Sequence, residues 1–132
     1  MRLNALAALF AISALVGCDR ALPSKFDLEC GVTEDVFTDG KASTSSKATH
    51  AFRINLDDME WCRGACISIF KVKRVEPGQI VLSEFEKGSG LQLIIDRVSG
   101  DIAEDSFNEF FGTSSIGSCE RKPFSGMPKR KF

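Results

Sequence analysis

The chain has 132 residues, with 17 Lys and Arg against 18 Asp and Glu, and 43% of its residues are hydrophobic. This composition excludes a fully disordered chain and a multi-span membrane protein. About 115 residues follow the apolar start of the chain, which is enough for one domain and too few for two.

The first segment has the pattern of a secretory signal peptide. Arg2 is the only charged residue before position 19, and residues 3–16 are almost wholly apolar. A basic start followed by a short apolar run is typical of such a signal, and the run is shorter than the about 20 residues that a membrane-spanning helix needs. The sequence therefore predicts export, with residues 1–17 as the signal peptide.

The end of this segment, Leu15-Val16-Gly17-Cys18, resembles the lipobox of bacterial lipoproteins. In that family the thiol of the Cys carries the lipid, and the Cys becomes the first residue of the mature protein. The resemblance implies a lipid on Cys18, a membrane as partner, and a tether over residues 18–25. Asp19 resembles the inner-membrane retention signal of enteric lipoproteins, but the choice between inner and outer membrane stays open, as does the periplasmic or exterior side.

The first predicted elements of the domain are two strands with a polar segment between them. Residues 26–30 alternate apolar and acidic side chains, as in a half-buried strand. Residues 31–49 are rich in Ser, Thr and Lys, and they predict a long exposed loop, with or without a short hairpin at Asp39-Gly40. Residues 50–56 alternate again, with His50 at the start of the strand.

The middle of the chain predicts a helical turn and a hairpin. Asp57 and Glu60 have the spacing of a capping box, which favours a helical turn before the closest pair of cysteines. Residues 67–75 and 79–85 predict two strands that pair as a hairpin around Glu76-Pro77-Gly78.

The last elements are predicted as strands with one helix among them. Residues 91–97 form the most apolar strand, which we expect at the centre of the sheet, and residues 101–104 pair back onto it. A capping-box pattern and Phe residues at helical spacing predict a short helix over residues 106–111, closed by Gly112. Residues 116–120 are the final strand. Short strands with local turns favour a mainly β fold: a small antiparallel meander, curled or barrel-like, with one or two short helices.

Four cysteines remain after Cys18, and export would place them where disulfides persist. Four cysteines allow three pairings, of which we favour Cys62–Cys66, which bridges a turn, and Cys30–Cys119, which joins the two ends of the domain. A Cys₄ zinc site would need two Cys-x₂-Cys pairs, a redox dithiol a Cys-x-x-Cys motif, and a nucleophilic Cys a His partner.

Charge is distributed unevenly along the mature chain. Residues 19–120 carry 11 basic and 18 acidic residues, whereas residues 121–132 carry five basic residues and no acidic one. The Pro and Gly residues of the tail, residues 123–132, predict an extended segment that lies on an anionic leaflet, on a partner, or over its own acidic domain. Phe124 and Phe132 are candidate apolar contacts. Nucleic acid is a poor match to an acidic, exported domain.

Few residues suit catalysis. The chain has one His and no Tyr, and it lacks a Gly-rich phosphate loop, a Gly-x-Ser-x-Gly elbow and a His-Glu-x-x-His motif. His50 is interpreted as an ordinary strand residue, and Asp57 and Asp58 as helix caps instead of cation ligands. Trp61 is either an exposed anchor for a partner or a core residue. No catalytic residue, cofactor or metal is predicted.

An exported β-domain with Cys30 in its first strand and Cys119 near its end is similar in architecture to the membrane-bound C-type lysozyme inhibitors. The Ser-Gly-x-x-Tyr stretch of that family has no counterpart, since Ser89-Gly90-Leu91 is the nearest match, and no inhibitor residues are carried over. Our leading hypothesis is a lipid-anchored envelope protein, disulfide-stapled over residues 26–122, with a non-catalytic binding or structural role. The alternatives are an inhibitor of an envelope-active enzyme such as lysozyme, and a small enzyme using His50 with Asp57 or Asp58.

Overall fold

The structure of the protein is a computed structural model. It describes residues 23–87 and 90–129, without the side chain of Ser43. The predicted signal peptide, the lipobox with Cys18, and Phe132 lie outside the described residues, as do Asp19 and Ser89.

The described residues form nine strands and no helix. In chain order, these are β1 (Lys25–Thr38), β2 (Lys41–Asn55), β3 (Glu60–Arg63), β4 (Ile69–Lys71), β5 (Arg74–Val75), β6 (Gln79–Ser83), β7 (Leu91–Asp96), β8 (Asp101–Phe107) and β9 (Phe111–Lys122). The strands form one antiparallel sheet in the order β4-β3-β2-β1-β9-β8-β7-β6-β5. The sheet curls into a half-barrel, so the predicted mainly β, antiparallel and curled fold is confirmed.

The two edge strands of the sheet follow one another in the chain. β4 pairs with β3, and β5 pairs with β6. Between them, the N–H of Val72 donates to the carbonyl of Met59 at 2.9 Å, and the N–H of Lys73 donates to the carbonyl of Val81 at 3.0 Å. The bent segment at Val72 and Lys73 therefore hydrogen-bonds to both ends of the strand order, and little of the sheet edge is left unpaired there. The predicted continuous strand over residues 67–75 is divided at this bend.

The segment predicted as a long exposed loop is instead part of the longest hairpin among the described residues. β1 and β2 pair from Lys25 opposite Asn55 to Thr38 opposite Lys41, with a bulge at Val36 and Phe37. Asp39 (φ 51°) and Gly40 (φ 74°) both adopt left-handed backbone, as a two-residue hairpin turn requires. The loop prediction is wrong because Ser and Thr residues also suit a strand whose side chains are mostly exposed.

The predicted helix over residues 106–111 is also wrong, because this region is the turn of the β8–β9 hairpin. The side-chain carbonyl of Asn108 accepts from the N–H groups of Phe110 at 3.0 Å and Phe111 at 2.8 Å. The Asn108 N–H donates to the Phe111 carbonyl at 2.8 Å. An Asx turn thus satisfies the amides that a helix N-terminus would have presented.

Two smaller expectations differ as well. The region at Asp57 is a turn with no helical residue, in which the Asn55 side-chain carbonyl accepts from the N–H of Asp58 at 3.2 Å. β7 has neighbours on both sides, but β9 occupies the middle of the sheet. This follows because the first and last strands pair with each other, which moves the two ends of the chain to the centre.

The core fills the concave side of the sheet. Alternate residues of each long strand point inward. Fully or almost fully buried apolar side chains include Phe52, Ile54, Trp61, Leu82, Leu93 and Ile95. The opposite faces of the same strands carry charged residues such as Asp27 and Arg53, so alternation along the sequence sets which face is buried.

Both disulfides have the predicted pairing. Cys30 on β1 lies directly opposite Cys119 on β9, with a Cα–Cα distance of 3.9 Å. Cys62 and Cys66 close the turn after β3, with a Cα–Cα distance of 5.0 Å. One bond therefore joins the first strand to the last, and the other fixes a local turn.

Candidate functional site

An apolar cavity opens at the end of the curled sheet where the chain enters the domain. Its volume is about 240 Å³. Its wall is formed by the start of β1, the end of β2, the start of β6 and the end of β7, and the apolar lining residues are Phe26, Leu28, Leu56, Ile80 and Ile95. The volume is below the about 300–1,000 Å³ of pockets for drug-sized molecules, so it suits a small apolar group or a single chain.

Charged side chains lie at the same cavity. Arg97 and Arg121 line it together with Asp96. The Asp96 carboxylate is committed to the next turn, because its Oδ1 accepts from the N–H groups of Val98 at 2.8 Å and Ser99 at 2.9 Å. One guanidinium nitrogen of Arg97 donates to the carbonyl of Glu76 at 2.9 Å, which holds this side chain in place. An apolar wall with two guanidinium groups beside it has the chemistry of a site for an amphiphile with an anionic group.

A polar cluster lies further along the concave face and contains the only His of the chain. His50 Nδ1 is 3.2 Å from Glu104 Oε2, and His50 Nε2 is 3.5 Å from Glu34 Oε2. Glu104 also forms an ion pair with Arg63, whose guanidinium lies 5.1 Å from the ring centroid of Phe52. The Ser115 hydroxyl donates to Glu34 at 3.4 Å.

The register of the sheet brings this cluster together from five strands. Glu34 lies opposite Ser115, and Ser115 lies opposite Glu104, so three of its members form one row across β1, β9 and β8. The side chain of Glu104 is 6% exposed and that of His50 is 14% exposed. Each ionisable group of the cluster is paired with another member through a hydrogen bond or an ion pair. The arrangement therefore joins the strands and does not present a free nucleophile.

The two aspartates that were paired with His50 in the enzyme alternative are not near it. His50 lies five residues before the end of β2, about 17 Å along the strand. Asp58 accepts from the side-chain amide of Asn55 at 2.9 Å, and Asp57 forms an ion pair with Lys25 at 3.7 Å. In the structure, therefore, neither aspartate lies beside His50.

Trp61 is a core residue and not an exposed anchor, which corrects one of the two interpretations made from the sequence. It is 2% exposed, and its ring lies between Phe52 at 6.2 Å and Phe70 at 4.9 Å between centroids. Its indole N–H donates to the carbonyl of Lys71 at 3.2 Å. It is buried because its position on β3 points to the concave side.

The described part of the tail, residues 123–129, lies against the convex face of its own domain. The Ser125 hydroxyl donates to Asp27 at 2.6 Å, and Arg53 donates to the carbonyl of Gly126 at 3.0 Å. The sulfur of Met127 lies 3.4 Å from that of Cys62. This part of the tail thereby covers the Cys62–Cys66 disulfide, and Phe124 is half-buried.

Sequence reasoning did not single out Glu34, Arg63 or Glu104. A signal for Glu104 was present, because it follows the apolar Ile102 at strand spacing and therefore shares its face. An acidic residue on an apolar face needs a partner, but the identity of that partner depends on the pairing of strands that are distant in sequence.

Comparison of the chain with protein-family models, with curated proteins and with solved structures gives no significant match. Over residues 23–87 and 90–129 there is no helix of the length and apolar character needed to cross a membrane. In the same ranges, no group of three or more His, Cys, Asp or Glu residues is arranged to hold a metal ion.

Proposed function

We propose that the protein is a lipid-anchored protein of the bacterial cell envelope whose domain binds the apolar part of an anionic amphiphile. The observation that carries this proposal is the apolar cavity with Arg97 and Arg121 beside it. The binding is non-catalytic, and its ligand is held by burial of an apolar chain and by charge-assisted hydrogen bonds to its anionic group.

The position of the cavity supports the link to a membrane. Pro23 lines the cavity and lies five residues after Cys18, a distance of at most about 18 Å of extended chain. A lipid on Cys18 would thus hold the membrane surface close to the end of the domain where the cavity opens. Amphiphiles of the leaflet would then have a short path to the cavity.

The anchor is tested by Cys18→Ser. We expect this variant to leave the membrane fraction and to lack the acyl mass, because the thiol that takes the lipid is gone. Fractionation of cells and mass spectrometry of the intact protein measure both effects. Unchanged retention together with an unchanged mass would contradict the anchor.

The cavity is tested with the soluble Cys18→Ser chain and a neutral apolar dye, N-phenyl-1-naphthylamine, whose fluorescence rises in an apolar site. We expect saturable binding and displacement of the dye by dodecanoate. Leu56→Trp should abolish it, because the larger ring fills the cavity, whereas Ile67→Trp adds the same ring at a residue that is 95% exposed and should not. Equal binding by both variants, or no binding by the parent chain, would rule out the cavity as the site.

The anionic group is tested separately with dodecanol, which has the chain of dodecanoate without its charge. We expect dodecanoate to displace the dye better than dodecanol, and Arg121→Gln to remove most of that difference. If dodecanoate and dodecanol compete equally in the parent chain, the cavity binds apolar chains without selecting an anion.

A further inference from the structure

The end of the sheet opposite the cavity carries an exposed group of phenylalanines. Phe107 is 52% exposed, Phe110 is 69% exposed and Phe111 is 46% exposed, and all three lie at the β8–β9 turn. Phe85 is 45% exposed and stacks on Phe107 with 5.7 Å between ring centroids. Exposed aromatic residues that adjoin one another mark an interaction surface more often than isolated apolar residues do.

Phe107, Phe110 and Phe111 border a groove of about 470 Å³ between the tips of two hairpins. Among the residues that line this groove, three carry carboxylates, namely Asp39, Asp105 and Glu109, and none carries a positive charge. We call this groove, with the phenylalanines around it, the distal groove.

Hydrogen bonds hold the distal groove in shape. The Asn108 side chain accepts from the N–H groups of Phe110 and Phe111, which fixes the turn that presents both rings. The N–H of Asp39 donates to the carbonyl of Phe110 at 3.3 Å, so the tip of the β1–β2 hairpin is joined to the tip of the β8–β9 hairpin. A groove whose walls are joined loses little conformational entropy when a partner binds.

We propose that the distal groove is a docking surface for a cationic polypeptide segment that carries apolar side chains. Lys and Arg of the partner would lie over the phenylalanine faces and beside the three carboxylates, and its apolar side chains would cover the exposed rings. This inference is independent of the cavity, which is built from other residues at the opposite end of the sheet.

The position of the distal groove argues against a membrane as its occupant. Phe26 and Phe37, at the two ends of β1, are about 36 Å apart along the strand. The groove therefore lies far from the end at which residue 23 enters the domain. Its carboxylates would also be repelled by an anionic leaflet.

The tail of the same molecule is excluded by reach. Gly126 is held beside Arg53, which lies 12 residues from the Lys41 end of β2, about 40 Å along the strand. Phe132 is six residues beyond Gly126, at most about 22 Å of extended chain. The basic residues of the tail up to Phe132 therefore cannot fill the distal groove of their own molecule.

The test uses the full Cys18→Ser chain and a fluorescently labelled amphipathic peptide of Lys and Leu, with a matched peptide in which Glu replaces Lys. We expect saturable binding of the Lys peptide, measured by fluorescence anisotropy, that weakens as salt is added, and no binding of the Glu peptide. Phe110→Ser should weaken binding about tenfold. Asp39→Asn with Glu109→Gln should weaken binding and flatten the salt dependence, and both substitutions keep the side-chain shape.

The matched control is Val98→Ser, which removes an apolar side chain that is 89% exposed at the other end of the domain, and it should bind like the parent chain. The proposal fails if the parent does not bind the Lys peptide, if the Glu peptide binds equally, or if Phe110→Ser and Val98→Ser have equal effects. It also fails if phosphatidylglycerol vesicles bind through Phe110 while the Lys peptide does not, which would assign the distal groove to a membrane.

Discussion

At the scale of single residues, Glu104 shows how a charge is accommodated inside this sheet. Its carboxylate lies on the concave face, where burial disfavours an unpaired charge. Arg63 and His50 both contact it. The side chain of Arg63 is 41% exposed. The cluster is therefore partly solvated, so its desolvation cost is smaller than that of a fully buried ion pair.

We expect Glu104→Gln to lower the free energy of unfolding by about 1–3 kcal/mol, because it leaves Arg63 and His50 without the carboxylate. Urea unfolding at neutral pH measures the change. Glu120→Gln is the matched control, since its ion pair with Lys122 involves a carboxylate that is 72% exposed, and it should change stability by less than about 0.5 kcal/mol. Equal effects of the two substitutions would show that the cluster does not stabilise the fold.

The pKa of Asp96 is lowered, because the backbone N–H groups of Ser99 and Val98 donate to its carboxylate. A carboxyl group whose pKa is lower in the folded state contributes stability above its unfolded pKa. That stability is lost as the pH falls through the folded pKa. We therefore expect the free energy of unfolding to decrease below about pH 4.

Asp96→Asn keeps the accepting carbonyl oxygen and removes the titrating group. We expect this variant to lose less stability than the parent between neutral pH and about pH 3, in urea unfolding series at each pH. Asp101→Asn serves as the comparison. Among the described residues, the backbone N–H of Asp101 donates to the Ser99 hydroxyl, but no backbone N–H donates to the Asp101 carboxylate. A steeper decline for Asp96→Asn than for the parent would contradict the assignment.

At the scale of elements, β1 and β9 lie too close together at Gly117 to admit a side chain there. A Cβ atom built at this residue would meet the carbonyl oxygen of Gly31 and lie 2.7 Å from the Cα of Val32. Both contacts are to backbone, so they cannot be relieved by turning a side chain. Glycine at this position lets the first and last strands pair at the centre of the sheet.

Gly117→Ala is expected to cost about 1–3 kcal/mol of stability, because the two strands must move apart. Gly31→Ala is the matched control on the neighbouring strand, where an added Cβ meets nothing within 4 Å, and it should fall within about 0.5 kcal/mol of the parent. Thermal unfolding of the three chains gives the comparison. The interpretation is wrong if the two alanine variants have the same midpoint.

Elements were predictable where apolar periodicity was strong, and less so elsewhere. Residues 26–30 alternate and lie within β1. Residues 79–85 and 91–97 each have three consecutive apolar residues at their centre, and they contain β6 and β7. The regions at 31–49 and 106–111 were assigned wrongly because their local sequence satisfies two rules at once. Ser and Thr suit loops and exposed strands alike, and Asn108 with the residues around it matches both a helix start and an Asx turn.

At the scale of the whole molecule, the Cys30–Cys119 bond connects residues that are 89 positions apart. Closing so long a loop removes more conformational freedom from the unfolded chain than the Cys62–Cys66 bond, whose residues are four positions apart. The first bond also joins β1 to β9, the pair that places both ends of the chain in the middle of the sheet.

Replacing Cys30 and Cys119 by Ala should lower the free energy of unfolding by about 4–5 kcal/mol, and replacing Cys62 and Cys66 by about 2 kcal/mol, in the chain-entropy model. Guanidinium unfolding of the two double variants under non-reducing conditions measures both. The reverse order of stability would show that packing around Cys62, including its contact with Met127, outweighs loop closure.

The amino-acid sequence by itself determined the β class and the face that each strong strand buries, because alternation is a local property of the chain. It favoured the two observed disulfide pairs among the three possible pairings, and the structure decided between them. Only the tertiary structure decided how β1 meets β9, that His50 lies between Glu34 and Glu104, and that Trp61 is buried. It also decided where the apolar cavity and the distal groove lie. These features depend on the register and curvature of strands that are far apart in sequence, and local patterns carry no information about either.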